Sequence, residues 1–328
     1  MTNLHLVDSM KLKDVVIEPI RKGFGRGLLE AGKRNENVVA VCADLTDSTQ
    51  ISLFAKEFPE RFVEVGIAEQ NLVTVGSGLA AQGKIPFVSS YAAFSPGRNW
   101  EQIRTTICLN DQPVKIVGSH AGLYTGKDGA THQMLEDIAL MRVLPNMVVI
   151  APGDSLEAER ATLAMAEDKR PNYIRLAREA TPVLTTDKTP FEIGKAYIYS
   201  EGTDLTIIST GTMTYQAMVA ADMLYKAGIE AEVVHVPTIK PLDNVTILAS
   251  ARKTGLVITV EEAQINGGLG GAVAELLAEE LPTRMKRLGM RDHFGESGNP
   301  EELLEHFGLT AKHIVLAAHE LIPQKNKE

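Results

Sequence analysis

Cysteine is close to absent: the 328-residue chain holds two, Cys42 and Cys108. Two thiols cannot form a disulfide framework or a cysteine metal cage, and both stand in apolar runs, VVAVCADL and IRTTICLN. Buried, reduced thiols are expected, as in a cytosolic protein. Positive charge is in deficit, with 33 Lys and Arg against 42 Asp and Glu and a net charge of −9. That balance argues against broad electrostatic binding to nucleic acid or to an anionic membrane. A local anion site stays open, because a few well-placed Arg and His side chains can hold a phosphate on an acidic protein. No apolar run approaches the ~20 residues that span a bilayer. The opening stretch MTNLHLVDSMKLKD lacks the charged-then-apolar pattern of a signal peptide. These absences predict a soluble, cytoplasmic protein with no nucleic-acid and no membrane partner.

What is present is ordinary globular composition, 44% hydrophobic and 23% charged, without low-complexity tracts or internal repeats. At ~150 residues per domain the length suggests two domains. Short Val/Ile-rich runs alternate with amphipathic stretches, the signature of βαβ units and a mainly parallel sheet. In the first half strands are predicted at 38–45, 61–66, 85–91, 114–120, 147–152 and 173–177, with helices at 18–32, 69–82, 99–109, 133–142 and 155–167. The second half predicts strands at 204–210, 231–236 and 256–262 and helices at 214–227, 243–253 and 270–280. Between the halves TPVLTTDKTPFEIG (181–194) holds two Pro and four Thr without helical periodicity, as a linker would. The tail PQKNKE (323–328) is expected to fray. The fold class expected is α/β, two doubly wound domains.

In such folds ligands bind beyond the carboxyl ends of the strands. There the sequence places Asp44, Thr46, Asp47 and Ser48, then GIAEQN (66–71), then Tyr91, Phe94 and Arg98, then His120 through THQ (131–133), and finally Arg178. GIAEQN sets Glu69 at a helix start directly after a strand. A carboxylate there ordinarily complements the helix dipole; the alternative is a hydrogen bond to a ligand nitrogen. SHAGLYTGKDGATHQ (119–133) carries His120, Asp128 and His132 on a loop with three glycines. No third nitrogen or sulfur ligand accompanies the histidines, which argues against zinc. The lack of a GxSxG elbow argues against a Ser-His-Asp hydrolase. A substrate-lining loop fits best. Tyr91 and Phe94 suit either core packing or a platform for a planar ring. On spacing alone Arg21, Arg98 and Arg178 could be solvated charges. INGGLGGA (265–272) lacks the GxGxxG spacing and suits a Gly-rich helix start that permits tight packing.

Taken together, CADLTDSTQ, GIAEQN, FVSSYAAF, SHAGLYTGKDGATHQ, LPNMVVIAPGD and IRLAR resemble the transketolase family in order and spacing, over roughly residues 14–180. That stretch is similar to the family's pyrimidine-binding domain. Residues 192–320, through GTDLTIISTGTM and VEEAQINGGLGGA, resemble its C-terminal domain. The implied domains are 14–182 and 192–322. The GDG…N motif with which the family holds Mg²⁺ and thiamin diphosphate does not occur. The resemblance therefore implies the C-terminal subunit of a split transketolase. A separate N-terminal subunit would supply the diphosphate site and the Mg²⁺ (or Ca²⁺) site, with the active site between chains. An α2β2 heterotetramer is the implied assembly.

The resemblance also implies roles. Glu69 hydrogen-bonds N1′ of the aminopyrimidine of thiamin diphosphate, Phe94 stacks on that ring, Tyr91 lines its pocket, and Asp44 lies beside the cofactor at the subunit contact. His132 serves proton transfer or the donor hydroxyls, and Asp128 an acceptor hydroxyl. Arg21, Ser48, His120 and Arg178 form a phosphate-binding set, so His120 and His132 join Glu69 as catalytic candidates. No metal ligand is assigned. The implied activity moves a two-carbon ketol unit from a ketose phosphate to an aldose phosphate, as in the pentose phosphate pathway. One alternative is the β subunit of a 2-oxoacid dehydrogenase E1 component, which has no need of the paired-His loop or the phosphate set. Another is a split transketolase-like enzyme for unusual sugar phosphates or sulfo-sugars, which would share nearly all these motifs.

Overall fold

A computed structural model describes residues 4–7, 12 and 14–322, and the tail 323–328 lies outside the described residues. In chain order the first half carries β1 (Ile17–Pro19), α1 (Ile20–Arg34), β2 (Val38–Cys42), α2 (Ser52–Glu57), β3 (Phe62–Glu64), α3 (Glu69–Ala81) and β4 (Ile85–Tyr91). It continues through α4 (Trp100–Gln102), β5 (Lys115–Ser119), α5 (Asp137–Arg142), β6 (Val148–Ile150), α6 (Ser155–Glu167), β7 (Asn172–Arg175) and β8 (Ala180–Pro182). The second half carries β9 (Tyr197–Ser200), β10 (Leu205–Ser209), α7 (Met213–Lys226), β11 (Ala231–His235), β12 (Thr238–Lys240) and α8 (Asn244–Thr254). It ends with β13 (Leu256–Gln264), α9 (Leu269–Glu280), β14 (Arg284–Met290), α10 (Pro300–His306) and α11 (Ala311–Leu321).

Seven strands form one sheet in the order β12-β6-β7-β5-β4-β2-β3, and five form another in the order β14-β13-β10-β11-β9. Strands β2 and β5 are buried along their whole length, which is why β2 reads as an unbroken apolar run rather than as alternation. Within these two sheets pairing is parallel except at one edge of each, where β12 and β9 run antiparallel, while β1 and β8 pair antiparallel in a separate ribbon. Strand β12 belongs to the second half by sequence yet completes the first sheet, with Thr238 opposite Ile150. The two halves are therefore joined by main-chain hydrogen bonds as well as by a shared core. The central elements fall where the apolar periodicity predicts them, to within a few residues.

Departures have local causes. The helix expected at 133–142 begins only at Asp137, because Met134 pairs with Ala121 in a short bridge that closes the 121–134 loop. The helix expected at 99–109 is a short turn, α4, that widens into a π-helical stretch at Ile103–Cys108. The expected linker is packed in place. Val183, Leu184, Thr185 and Thr189 are buried. The N–H groups of Leu184 and Thr185 donate to Asp154 Oδ2 at 2.9 and 2.7 Å. Cys42 and Cys108 are both buried free thiols. No helix among the described residues is long and apolar enough to cross a membrane.

Candidate active site at the sheet edge

The chain leaves β2 for β3 on one side and returns through α3 to β4 on the other. In doubly wound sheets the ligand crevice lies at such a reversal, here beyond the carboxyl ends of β2 and β4. Parallel pairing brings the loops after β2, β3, β4, β5 and β7 to the same edge.

Glu69 is the first residue of α3 and is only 2% exposed. Arg98 Nη1 donates to its Oε2 at 2.7 Å, and the Asn99 amide donates to its main-chain oxygen at 2.8 Å. Asn99 also reaches Ser95 Oγ at 3.1 Å, so the turn after β4 is clamped to the start of α3. The Arg98 guanidinium lies 4.9 Å from the centre of the Phe94 ring. Spacing alone left open whether Arg98 is a solvated charge. The structure gives it two partners in the crevice, one of which the sequence placed 29 residues away. Its offset of four from Phe94 was the one available signal, since Arg98 N–H bonds Phe94 O in a helical-type turn.

Around this pair the rings gather. Tyr91 stacks on His120 with centroids 3.8 Å apart and planes at 25°. His132 meets Phe94 edge-on at 5.4 Å, and its Nδ1 lies 2.8 Å from Thr131 Oγ1. His120 is buried, with φ of 56° and Nδ1 2.9 Å from Ser119 Oγ. Burial, reinforced by the positive charges of Arg21 and Arg178 and by His132, pushes its pKa down to about 3. The imidazole is therefore neutral near pH 7 and brings hydrogen bonding, without charge, to the group around it.

A third group abuts the rings. Arg21 Nη1 donates to Ser48 O at 2.5 Å, and its Nε donates to Arg178 O at 3.2 Å. Arg178 Nη1 donates to Thr125 O at 3.1 Å and to Asp128 Oδ1 at 3.3 Å. Thr125 Oγ1 in turn donates to His120 O at 2.7 Å, which links this group to the aromatic one. Burial and the neighbouring Arg178 lower the pKa of Arg21. Ser48 Oγ donates to Leu45 O at 3.2 Å. Arg21, Ser48, Asp128 and Arg178 are thus brought together. Asp44 is exposed, with φ of 57° and its N–H donating to Glu64 Oε1 at 2.7 Å. Glu64 also takes the Gly66 N–H at 2.9 Å, tying the loop after β2 to GIAEQN. Sequence reasoning gave no part to Glu64, Asn99 or Thr125.

The INGGLGGA segment holds no free anion site. Glu261 accepts the N–H groups of Leu269 and Gly270 at 2.8 and 2.7 Å, so the chain's own carboxylate fills the N-terminus of α9. A Cβ at Gly268 would lie 2.0 Å from Glu261 Oε2, which accounts for glycine by close packing. Among the described residues no group of three or more His, Cys, Asp and Glu could hold a metal ion.

The family profile described as "Transketolase, pyrimidine binding domain" matches residues 19–183, and "Transketolase, C-terminal domain" matches residues 194–314. The chain belongs to the transketolase family. It is 46% identical to a putative transketolase C-terminal section of Methanocaldococcus jannaschii, over 95% of this chain and 98% of that one. It is 42% identical to the 6-deoxy-6-sulfo-D-fructose transketolase subunit SqwH of Clostridium sp., over 91% and 93% of the two chains. A solved structure, "Split gene transketolase, inactive beta4 tetramer", superposes with a TM-score of 0.87 at 46% identity, covering 92% of this chain and 98% of the other. The matches cover more than nine-tenths of this chain and of each of these relatives.

Proposed function

We propose that this chain is the C-terminal subunit of a split, thiamin-diphosphate-dependent transketolase, active only with an N-terminal subunit. It would transfer a two-carbon ketol unit between sugars that carry an anionic end. The observation that carries this reading is Glu69, a buried carboxylate at the sheet edge that Arg98 joins to the Phe94 ring, on which Tyr91 in turn packs. That pair of features fits an aminopyrimidine: a carboxylate for a ring nitrogen and an aromatic face for stacking. When bound, the cofactor supplies the carbanion chemistry that breaks and makes the carbon–carbon bond.

In this reading Glu69 holds N1′ by a hydrogen bond inside a largely dry pocket, Phe94 stacks on the ring, and Tyr91 lines the slot. His132, half-buried at the edge of Phe94, moves a proton or binds donor hydroxyls, and Asp128 orients an acceptor hydroxyl. Arg21 and Arg178 supply charge for a phosphate, Ser48 and neutral His120 supply hydrogen bonds. Two guanidiniums serve a sulfonate equally well, and a relative named for 6-deoxy-6-sulfo-D-fructose makes a sulfo-sugar a reasonable second substrate class. The diphosphate and its Mg²⁺ or Ca²⁺ fall to the N-terminal subunit. Ile67, 75% exposed beside Glu69, and exposed Asp44 present a surface for that subunit in an α2β2 assembly.

The test is ketol transfer from xylulose 5-phosphate to ribose 5-phosphate with thiamin diphosphate and Mg²⁺. The chain is assayed alone and mixed with the candidate N-terminal subunit from the same organism. Silence alone and turnover on mixing is the expected result. A stable mixed complex that turns over neither these sugars nor 6-deoxy-6-sulfofructose would overturn the assignment.

A further inference from the structure

The contacts of Arg98 go beyond holding Glu69 in place. A guanidinium is planar and delocalised, donates N–H groups to carboxylates and lies over aromatic rings. Arg98 does both at once, with Glu69 Oε2 at 2.7 Å and the Phe94 centroid at 4.9 Å. These are the two groups that the preceding section assigns to an aminopyrimidine, which is also planar and also presents nitrogen to the carboxylate. The side chain is 51% exposed while its carboxylate partner is 2% exposed, so the arginine reaches in from the mouth of the crevice. Its backbone is fixed independently: Arg98 N–H bonds Phe94 O at 3.0 Å, and the adjacent Asn99 is tied to Glu69 O and Ser95 Oγ. A long flexible stem on an anchored turn can leave the crevice without disturbing α3.

We propose that Arg98 is an internal stand-in for the cofactor's pyrimidine, occupying Glu69 and Phe94 in the separate subunit and displaced when thiamin diphosphate binds. The inference rests on the cofactor reading given above. Physically, the stand-in keeps a buried carboxylate paired before loading, since an unpaired buried charge is strongly unfavourable. The same pairing opposes cofactor binding, because the ion pair must break first. Once displaced, the guanidinium swings to the mouth of the crevice.

The test is the affinity of the mixed subunits for thiamin diphosphate with Mg²⁺, measured by titration calorimetry on wild type and on Arg98→Met. Methionine keeps most of the stem and removes the charge and the donors. The expected result is binding about tenfold tighter in the variant, about 1.4 kcal/mol. Arg98→Lys, which keeps the charge but loses the planar fork, serves as a second variant and should tighten binding by less. Unchanged or weaker binding in both variants, with wild type still binding, would overturn the stand-in and leave the cofactor reading intact. If neither wild type nor variants bind thiamin diphosphate in a stable complex, the cofactor reading fails and the stand-in with it.

Discussion

Each residue at the crevice has its properties set by neighbours that lie far away in sequence, and the consequences are measurable. Glu69→Gln removes the carboxylate while keeping the shape of α3. Turnover of the mixed subunits should fall by about 10²-fold or more, with the complex still assembling; near-normal turnover would contradict the assigned role. Arg178→Ala should raise KM for phosphorylated sugars by roughly ten- to a hundredfold, the worth of a charge-assisted hydrogen bond of about 1.5–3 kcal/mol. An unmoved KM for both donor and acceptor would remove Arg178 from the phosphate set. His120 gives a pH prediction with a definite sign. Burial holds its folded pKa at about 3, below the ordinary 6.5. Between those values the unfolded chain binds a proton that the folded chain does not, so this group costs stability as pH falls from 6.5 toward 3. The slope is at most about 1.4 kcal/mol per pH unit. Urea unfolding at pH 7 and pH 5 should show wild type losing more stability on acidification than His120→Asn.

At the scale of elements, packing explains both where the sequence was readable and where it was not. Helix α1 lies so close to α6 that a Cβ at Gly23 would sit 1.7 Å from Ser155 O, and one at Gly27 would sit 2.7 Å from Glu159 O. Gly23→Ala, ordinarily favourable inside a helix, should here lower the thermal midpoint by several degrees as the two helices are forced apart. Asp154 combines two tasks, capping α6 through Glu157 N–H at 2.9 Å and holding Leu184 and Thr185. Its replacement by Ala should cost about 2 kcal/mol or more in chemical denaturation. The central strands were legible because apolar runs flanked by turn residues have few other solutions. Strand β14, with its sequence RMKRLGM, was missed: it is an edge strand, and only Leu288, Gly289 and Met290 at its end are buried. Helices α10 and α11 were missed too, although α11 buries a regular stripe of Ala311, Ile314, Ala317, Ala318 and Leu321.

Across the whole molecule, the two halves are held together by buried charge as well as by sheet pairing. Arg175 on β7, 6% exposed, reaches Asp137 on α5 at 3.0 Å and Glu262 on β13 at 3.1 Å. His235 on β11 meets Glu157 on α6 at 2.7 Å, while its other ring nitrogen lies 2.7 Å from Thr214. Arg175→Met would strand two buried carboxylates, and unfolding free energy should fall by about 3–5 kcal/mol. A loss under 1 kcal/mol in urea titration would show that the network contributes little. None of these partners could be paired from sequence, since their separations run from 21 to 87 residues. By itself the sequence determined the fold class, the central strands of both halves with most of the helices between them, and which polar loops follow those strands, because apolar periodicity and residue type are local properties. The tertiary structure alone decided that Arg98 pairs with Glu69, that His120 is neutral, and that β12 crosses to the other sheet. Those outcomes depend on burial and on charges brought close by topology, and neither is a function of spacing along the chain.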